Sequence, residues 1–270
     1  MLLPVNVTFG IVLAVLLAAA AGVVAVAHLG PGRAREMAVA GLRAAVQLGA
    51  VSLVIGWAVR SVPLLLAFLV VMYAVAVRTA GRRVTPNGTW WLTALPIGAG
   101  VVPVVAALLL TGLVPVKGIA LVPVTGILIG GALTATVLAG RRALDELAGR
   151  RGEVEAAMAI GLPDREARLE VARDAAADAL LPGLDQARTV GLVTLPGAFV
   201  GMLLGGASPL QAGAVQLFVL VALMAVQAVA VAVVLELVSR GRLHREPVAA
   251  SARGGTGGPD GGSAGRARGA

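Results

Sequence analysis

Residues 211–238 read QAGAVQLFVLVALMAVQAVAVAVVLELV, 28 positions that carry a single charge, Glu236. A hydrocarbon core about 30 Å thick needs around 20 consecutive apolar residues in a helix, and this run exceeds that length. In lipid every backbone polar group must be satisfied within the segment, and the run has no period-two alternation, so it reads as a helix rather than a barrel strand. Working outward, the same pattern recurs at 5–27, 37–59, 62–77, 90–112, 119–138 and 190–204, with the third and sixth stretches the shortest. The fold class predicted is an all-α polytopic membrane protein of about seven transmembrane helices. Composition agrees: 58% of the 270 residues are hydrophobic and 13% charged, against about a quarter charged in soluble domains.

The net charge of +8 is not a nucleic-acid footprint, because the basic residues sit in particular loops without interleaved aromatics. With alternate loops assigned to one side, 19 of the 22 Lys and Arg fall on that side, in 28–36, 78–89, 140–189 and after Ser239. Only Arg60 and Lys117 fall on the other side, and Arg43 is left within a span. By the positive-inside rule this places the N-terminus outside and the C-terminus in the cytoplasm, as an odd number of spans requires. Ala25-Val26-Ala27 before His28 has the form of a signal-peptidase site, but no basic region precedes it and the apolar run is too long, so it reads as a membrane helix. Cysteine is absent, which excludes disulfides and thiolate metal sites. The bias of Arg over Lys, with abundant Ala, Val and Gly, fits a GC-rich bacterial genome, and a helical polytopic chain from such a source is expected in the bacterial plasma (inner) membrane.

One polar segment, 140–189, interrupts the apolar pattern and holds ten of the fourteen acidic residues, so it lies outside the bilayer as a cytoplasmic helical segment. Its first part, 141–160, reads as a helix continuing the fifth span, with Arg142, Glu146 and Arg150 at four-residue spacing and Gly161 as C-terminal cap. Pro163 then opens a second helix with Asp164 and Glu166 in its first turn and a weak stripe of Ala167, Val171, Ala175 and Ala179. The transmembrane domain is expected to span 1–245, and 246–270, rich in Gly, Ala, Ser, Pro and Arg, is predicted to be a disordered tail.

Arg43 falls in the middle of the second span, where a charge costs at least ~2.5–3.5 kcal/mol. Gln47 follows one turn later with Ser52 beyond, so the helix is expected to turn a polar stripe toward the bundle interior, as a pathway wall or as a structural pin. Gly126 and Gly130, then Gly197, Gly201 and Gly205, have the small-residue spacing of close helix contacts. Pro123, Pro182 and Pro196 introduce breaks near Thr125, Thr134 and Thr194, where freed carbonyls bind cations if they line a cavity. No Gly-x4-Gly-Lys-Ser/Thr loop is present and no hydrolytic triad lies within the spans, so the chain is not expected to hydrolyse ATP alone or to act as an enzyme. Glu236, at the edge of the last span, is expected to meet headgroups. The competing reading, a secondary carrier or channel working without ATP, calls for carboxylates or histidines within the spans, and the midplane has neither.

The cytoplasmic segment carries Glu155-Ala156-Ala157-Met158-Ala159-Ile160-Gly161 and, after a helix, Leu180-Leu181-Pro182-Gly183-Leu184. This resembles the EAA loop of bacterial ABC-transporter permeases. Arg43-Ala44-Ala45-Val46-Gln47-Leu48, Pro123-Val124-Thr125-Gly126 and the stretch from Ala187 to Gly197 are similar to motifs of the iron-export ABC permease family, related to the plant aluminium-sensitivity permeases. The resemblance implies a homodimer paired with a separate ABC ATP-binding subunit that uses the ATP, with no cofactor bound by this chain. It further implies that Glu155, Ala156, Ala157, Gly161, Leu181 and Pro182 couple to that subunit. The cargo implied is a metal ion such as iron, or a small metal complex, moving outward past Arg43, Gln47, Thr125, Thr134, Thr194 and Gln216. The family's Gly-Met-x-x-Gly-Asn-x-Met in the fifth span is here Gly126-Ile127-Leu128-Ile129-Gly130-Gly131-Ala132-Leu133. Its soft and amide ligands are therefore missing, and the metal-binding residues stay unassigned.

Overall fold

The computed structural model describes residues 7–58, 61–111 and 118–245, and those residues are almost entirely helical. The helices are α1 (Val7–Leu29), α2 (Pro31–Ala58), α3 (Val62–Val84), α4 (Ala94–Leu110, entered through a 3-10 turn at Gly88–Thr93), α5 (Gly118–Gly149), α6 (Arg151–Ala159), α7 (Asp164–Ala177), α8 (Leu181–Thr189), α9 (Gly197–Leu204) and α10 (Pro209–Ser239). Among the described residues five segments are, by length and composition, able to cross a membrane: Pro31–Gly56, Val62–Val84, Gly88–Leu110, Leu121–Gly149 and Pro209–Ser239.

The decisive run becomes α10, the central packing element. Its start is fixed by a capping box, in which the Ser208 hydroxyl accepts from the Gln211 N–H at 3.3 Å and the Gln211 amide oxygen accepts from the Ser208 N–H at 3.1 Å. Ala212, Gln216, Val219, Leu223, Val226, Ala230, Val234 and Leu237 are buried at helical spacing, so one stripe of α10 faces the bundle. That stripe packs on α4 and α5, and α3 also packs on α5. Met72 lies against Gly126, and Val84 and Val234 both lie against Gly140, so α3, α5 and α10 run in one direction. Gly100 of α4 lies against Val226, and α4 returns in the opposite sense.

Lipid removes the hydrophobic drive between helices, so close packing must come from small residues. A Cβ on Gly100 would stand 2.7 Å from the Val226 carbonyl oxygen, and one on Gly131 would overlap the Leu223 side chain. The glycines expected to do this are largely others. Of Gly126, Gly130, Gly197, Gly201 and Gly205, only Gly126 faces another helix, with Met72 at 3.1 Å. The four-residue spacing was present, but Gly131, one residue round the helix from Gly130, is on the packed side.

Two further expectations change. The sixth span is not one helix over 190–204: residues 190–196 form turns, and α9 has only eight residues, too few to cross alone. The cause is local, because Gly191 adopts a φ of +83° and Pro196 precedes α9. The third helix, by contrast, reaches Val84 rather than stopping near 77. The α1–α2 pair packs together and meets the rest of the bundle weakly, chiefly at α3. The tail 246–270, Arg60 and Lys117 lie outside the described residues.

Candidate functional site

At the basic end of the bundle α5 continues past the apolar zone to Gly149, and Arg150 then breaks the helix with φ −115°, ψ 36°. The single helix expected over 141–160 is thus two, α5 and α6. Arg150 staples the break: its guanidinium donates to Glu146 at 3.0 Å and to Glu153 at 2.7 Å. That contact holds the Glu153 carboxyl below its usual range and raises the already high Arg150 value.

Gly161 ends α6 as expected, with φ +103°, a conformation that disfavours any side chain. Its N–H donates to Met158 O at 3.0 Å and that of Leu162 to Ala157 O at 3.1 Å, the hydrogen-bond pattern of a Schellman cap. α7 then folds back on α6, α5 and α10, burying Ala167 and Val171 with Val154, and Ala172 and Ala176 in the main core, which Ala179 of the 3-10 turn Asp178–Leu180 joins. The buried stripe therefore includes Ala172 and Ala176 rather than Ala175, because α7 meets two surfaces. Glu155, Ala156, Met158, Ile160 and Gly161 remain exposed, with Ile160 81% exposed at the tip. Ala157 is turned inward against the Val154 cluster. Beside this hairpin lies a groove of 490 Å³ lined by Glu155, Met158, Asp164, Arg168, His244 and Arg245 among others.

The hairpin is tied to the membrane helices by charges. Arg165 grips Glu236 with two hydrogen bonds, Nε to Oε1 at 2.9 Å and an Nη to Oε2 at 2.7 Å, and Glu236 also accepts from Arg240. Glu236 is therefore an anchor for α7 rather than a headgroup contact. The sequence signal was available, a lone acid at the end of a long apolar run, but its partner lies 71 residues away. Arg142 meets Asp178 at 3.9 Å, and Arg245 pairs with Asp145 while donating to Val84 O at 3.0 Å.

Leu181 and Pro182 do not join the α6 surface. They open α8, and the next residue, Gly183, is seated against Gln227 of α10, where a Cβ would meet the Gln227 amide. Beyond the break, Val190, Gly191, Leu195, Pro196 and Phe199 line a cavity of 190 Å³ with Gln216 and Gly213 of α10. α8, the turns and α9 thus lead from the basic end toward the start of α10, in two short pieces instead of one helix.

The expected lining residues divide. Thr125 and Gln216 are buried, and Thr125 Oγ1 and Gln216 Oε1 have no hydrogen-bond partner. Counting back from the Gly131–Leu223 contact along these parallel helices puts the two within a turn of one level. Thr136 Oγ1, not singled out from sequence, is likewise buried and unpartnered. Thr134 is exposed and donates to Gly130 O at 3.0 Å, and Thr194 is exposed within the break. Arg43 and Gln47 share a face of α2 but are exposed in this chain, so the stripe does not face the chain's own bundle. Among the described residues no three His, Cys, Asp or Glu side chains gather to hold a metal ion.

A family model described as "Uncharacterised protein family (UPF0014)" matches residues 8–242. Rice "UPF0014 membrane protein STAR2" is 38% identical over 163 residues, covering 60% of this chain and 56% of that protein. Arabidopsis thaliana "Protein ALUMINUM SENSITIVE 3" is 37% identical over 159 residues, 58% of each chain. Escherichia coli K12 "Probable iron export permease protein FetB" is 29% identical over 126 residues, 47% of this chain and 48% of that one. The chain therefore spans a little over half the length of the plant relatives it matches. No solved structure matches it.

Proposed function

Because the chain belongs to the UPF0014 membrane protein family, we propose that it is the membrane-spanning permease subunit of an ABC transporter, working as two copies with a separate ATP-binding subunit in a bacterial plasma membrane. The observation that carries this reading is the exposed α6–α7 hairpin, whose tip offers Glu155, Ala156, Met158, Ile160 and Gly161 while its base is locked to α10 through Arg165 and Glu236. A partner that pushes on the tip moves a helix ending in the core of the bundle, which is the lever a coupled transporter needs. Leu181 and Pro182 take a different part in this reading, at the hinge where α8 leaves the basic end. α8 and α9 together make a discontinuous crossing, keeping seven passages and the N-terminus outside.

The cargo in this reading is a metal ion such as iron, or a small metal complex, moved outward. The E. coli relative's name supports iron export, and the buried lining offers oxygen atoms of Thr125 and Gln216 rather than soft ligands. The test is co-purification with the ATPase encoded beside it, followed by ATPase activity in lipid with and without Fe²⁺ and other metals. Stimulation by a metal is expected. A stable complex indifferent to every metal sinks the metal cargo, and the absence of any ATPase partner sinks the permease reading. Glu155→Lys with Gly161→Pro should leave the protein inserted but uncouple hydrolysis from transport.

A further inference from the structure

Asp185 and Arg188 of α8 form an ion pair at 3.2 Å, and their side chains are 66% and 69% exposed. Gly183, Leu184 and Ala187 turn toward α10, so Asp185, Gln186 and Arg188 lie on the opposite, uncovered side. Their depth follows from α10, which has no charged residue between its start and Glu236. Gly183 is level with Gln227, nine residues before Glu236, or about 14 Å at 1.5 Å per residue. Val190 and Gly191 share a cavity with Gln216, about 30 Å from Glu236 by the same rise. Asp185 and Arg188 lie between those levels, beside the apolar middle of α10.

Lipid can cover the exposed Leu181, Leu192 and Val193 nearby, but not this pair. The single hydrogen bond found for Arg188 leaves the other guanidinium donors to be satisfied by something that reaches the bilayer interior. We propose that this face is closed by the same face of a second copy of the chain, Asp185 of each copy meeting Arg188 of the other across a two-fold axis. A two-fold contact is self-complementary, so one acid and one base on a single face suffice to cover the pair in both copies and to engage the guanidinium donors and carboxylate oxygens that the pair within each chain leaves open. The paired faces form a polar wall at membrane depth that neither copy has alone, and the broken crossing becomes the element that the two copies share. The inference rests on the two-copy permease reading.

The chain contains no cysteine, so single-cysteine cross-linking is unambiguous. Gln186→Cys in the full chain, co-expressed with its ATPase and oxidised in native membranes, is expected to give a disulfide-linked dimer, while Val102→Cys on the exposed side of α4 is not. Asp185→Arg and Arg188→Asp should each weaken dimerisation at least tenfold, and the double variant should restore it. An uncross-linked Gln186→Cys protein overturns the proposal, whether the protein is monomeric or dimeric through another face, and so does failure of the double variant to recover. ATPase co-purification on the same membranes separates the readings: a complex without the cross-link sinks only this interface, and a cross-link without ATPase sinks only the permease assignment.

Discussion

The seat of the broken crossing can be tested by filling it. Gly183 stands where a Cβ would overlap the Gln227 amide oxygen, with Gln227 Cδ at 3.1 Å and Nε2 at 3.4 Å. Gly183→Leu must displace the whole amide, which puts it in the upper part of the ~1–3 kcal/mol cost of overfilling a packed contact. Better helix propensity returns at most about 1 kcal/mol, leaving a net loss of about 1–2 kcal/mol, roughly 5- to 30-fold in the folded population. Gln227→Ala removes the obstructing atoms, so the double variant should recover at least about 1 kcal/mol relative to the sum of the single changes. The assay is reversible unfolding in mixed SDS micelles followed by fluorescence of Trp57, Trp90 and Trp91, in a full double-mutant cycle. Additivity within about 0.5 kcal/mol would refute the contact, because side chains that do not share a space do not couple. Transport in the same four proteins should follow the same order if this seat holds the crossing in register.

Gly100→Ala and Gly130→Ala form a second pair: the first drives a methyl onto the Val226 main chain and should cost about 1–3 kcal/mol before any propensity gain, whereas the second meets nothing within 4 Å and should be neutral or slightly stabilising, read as thermal stability in nanodiscs. Glu153 is held below 4.5, the usual glutamate value, by Arg150, so the contribution of this contact is present at neutral pH and lost as the pH falls through the lowered folded value. Arg150→Ala should return the Glu153 carboxyl titration, followed by carbon NMR, to the usual range and speed amide exchange in α6; an unmoved titration counts against the staple.

Some of this was legible because it depends on neighbours in sequence. The Schellman cap at Gly161 and the N-terminal acids of α7 are local interactions, and they stand where spacing put them; the Ser208–Gln211 capping box of α10 is equally local but was not singled out from sequence. Gly130 against Gly131, and Ala175 against Ala172 and Ala176, show where local reading stops. A periodic stripe locates a face only to within a residue or so, and the neighbour that uses it decides the rest. Arg43 and Gln47 show the same limit at larger scale, because a polar face can be read from one helix but its cover cannot. The sixth passage misled for a related reason: apolar composition over 190–204 is compatible with a helix, yet Gly191 and Pro196 break it and the seating of Gly183 on Gln227 draws α8 into the bundle.

By itself, then, the sequence determined that the chain is a helical membrane protein, that α6 stops at Gly161, and that a mixed-charge helical segment stands at the basic end, since lipid solvation and backbone capping act within a few turns. Tertiary structure alone decided that Arg165 locks that hairpin to Glu236, which glycines admit a neighbouring backbone, and that Asp185 and Arg188 sit beside the apolar middle of α10. These contacts join residues tens of positions apart, and their free energy exists only once both partners have been brought to one place.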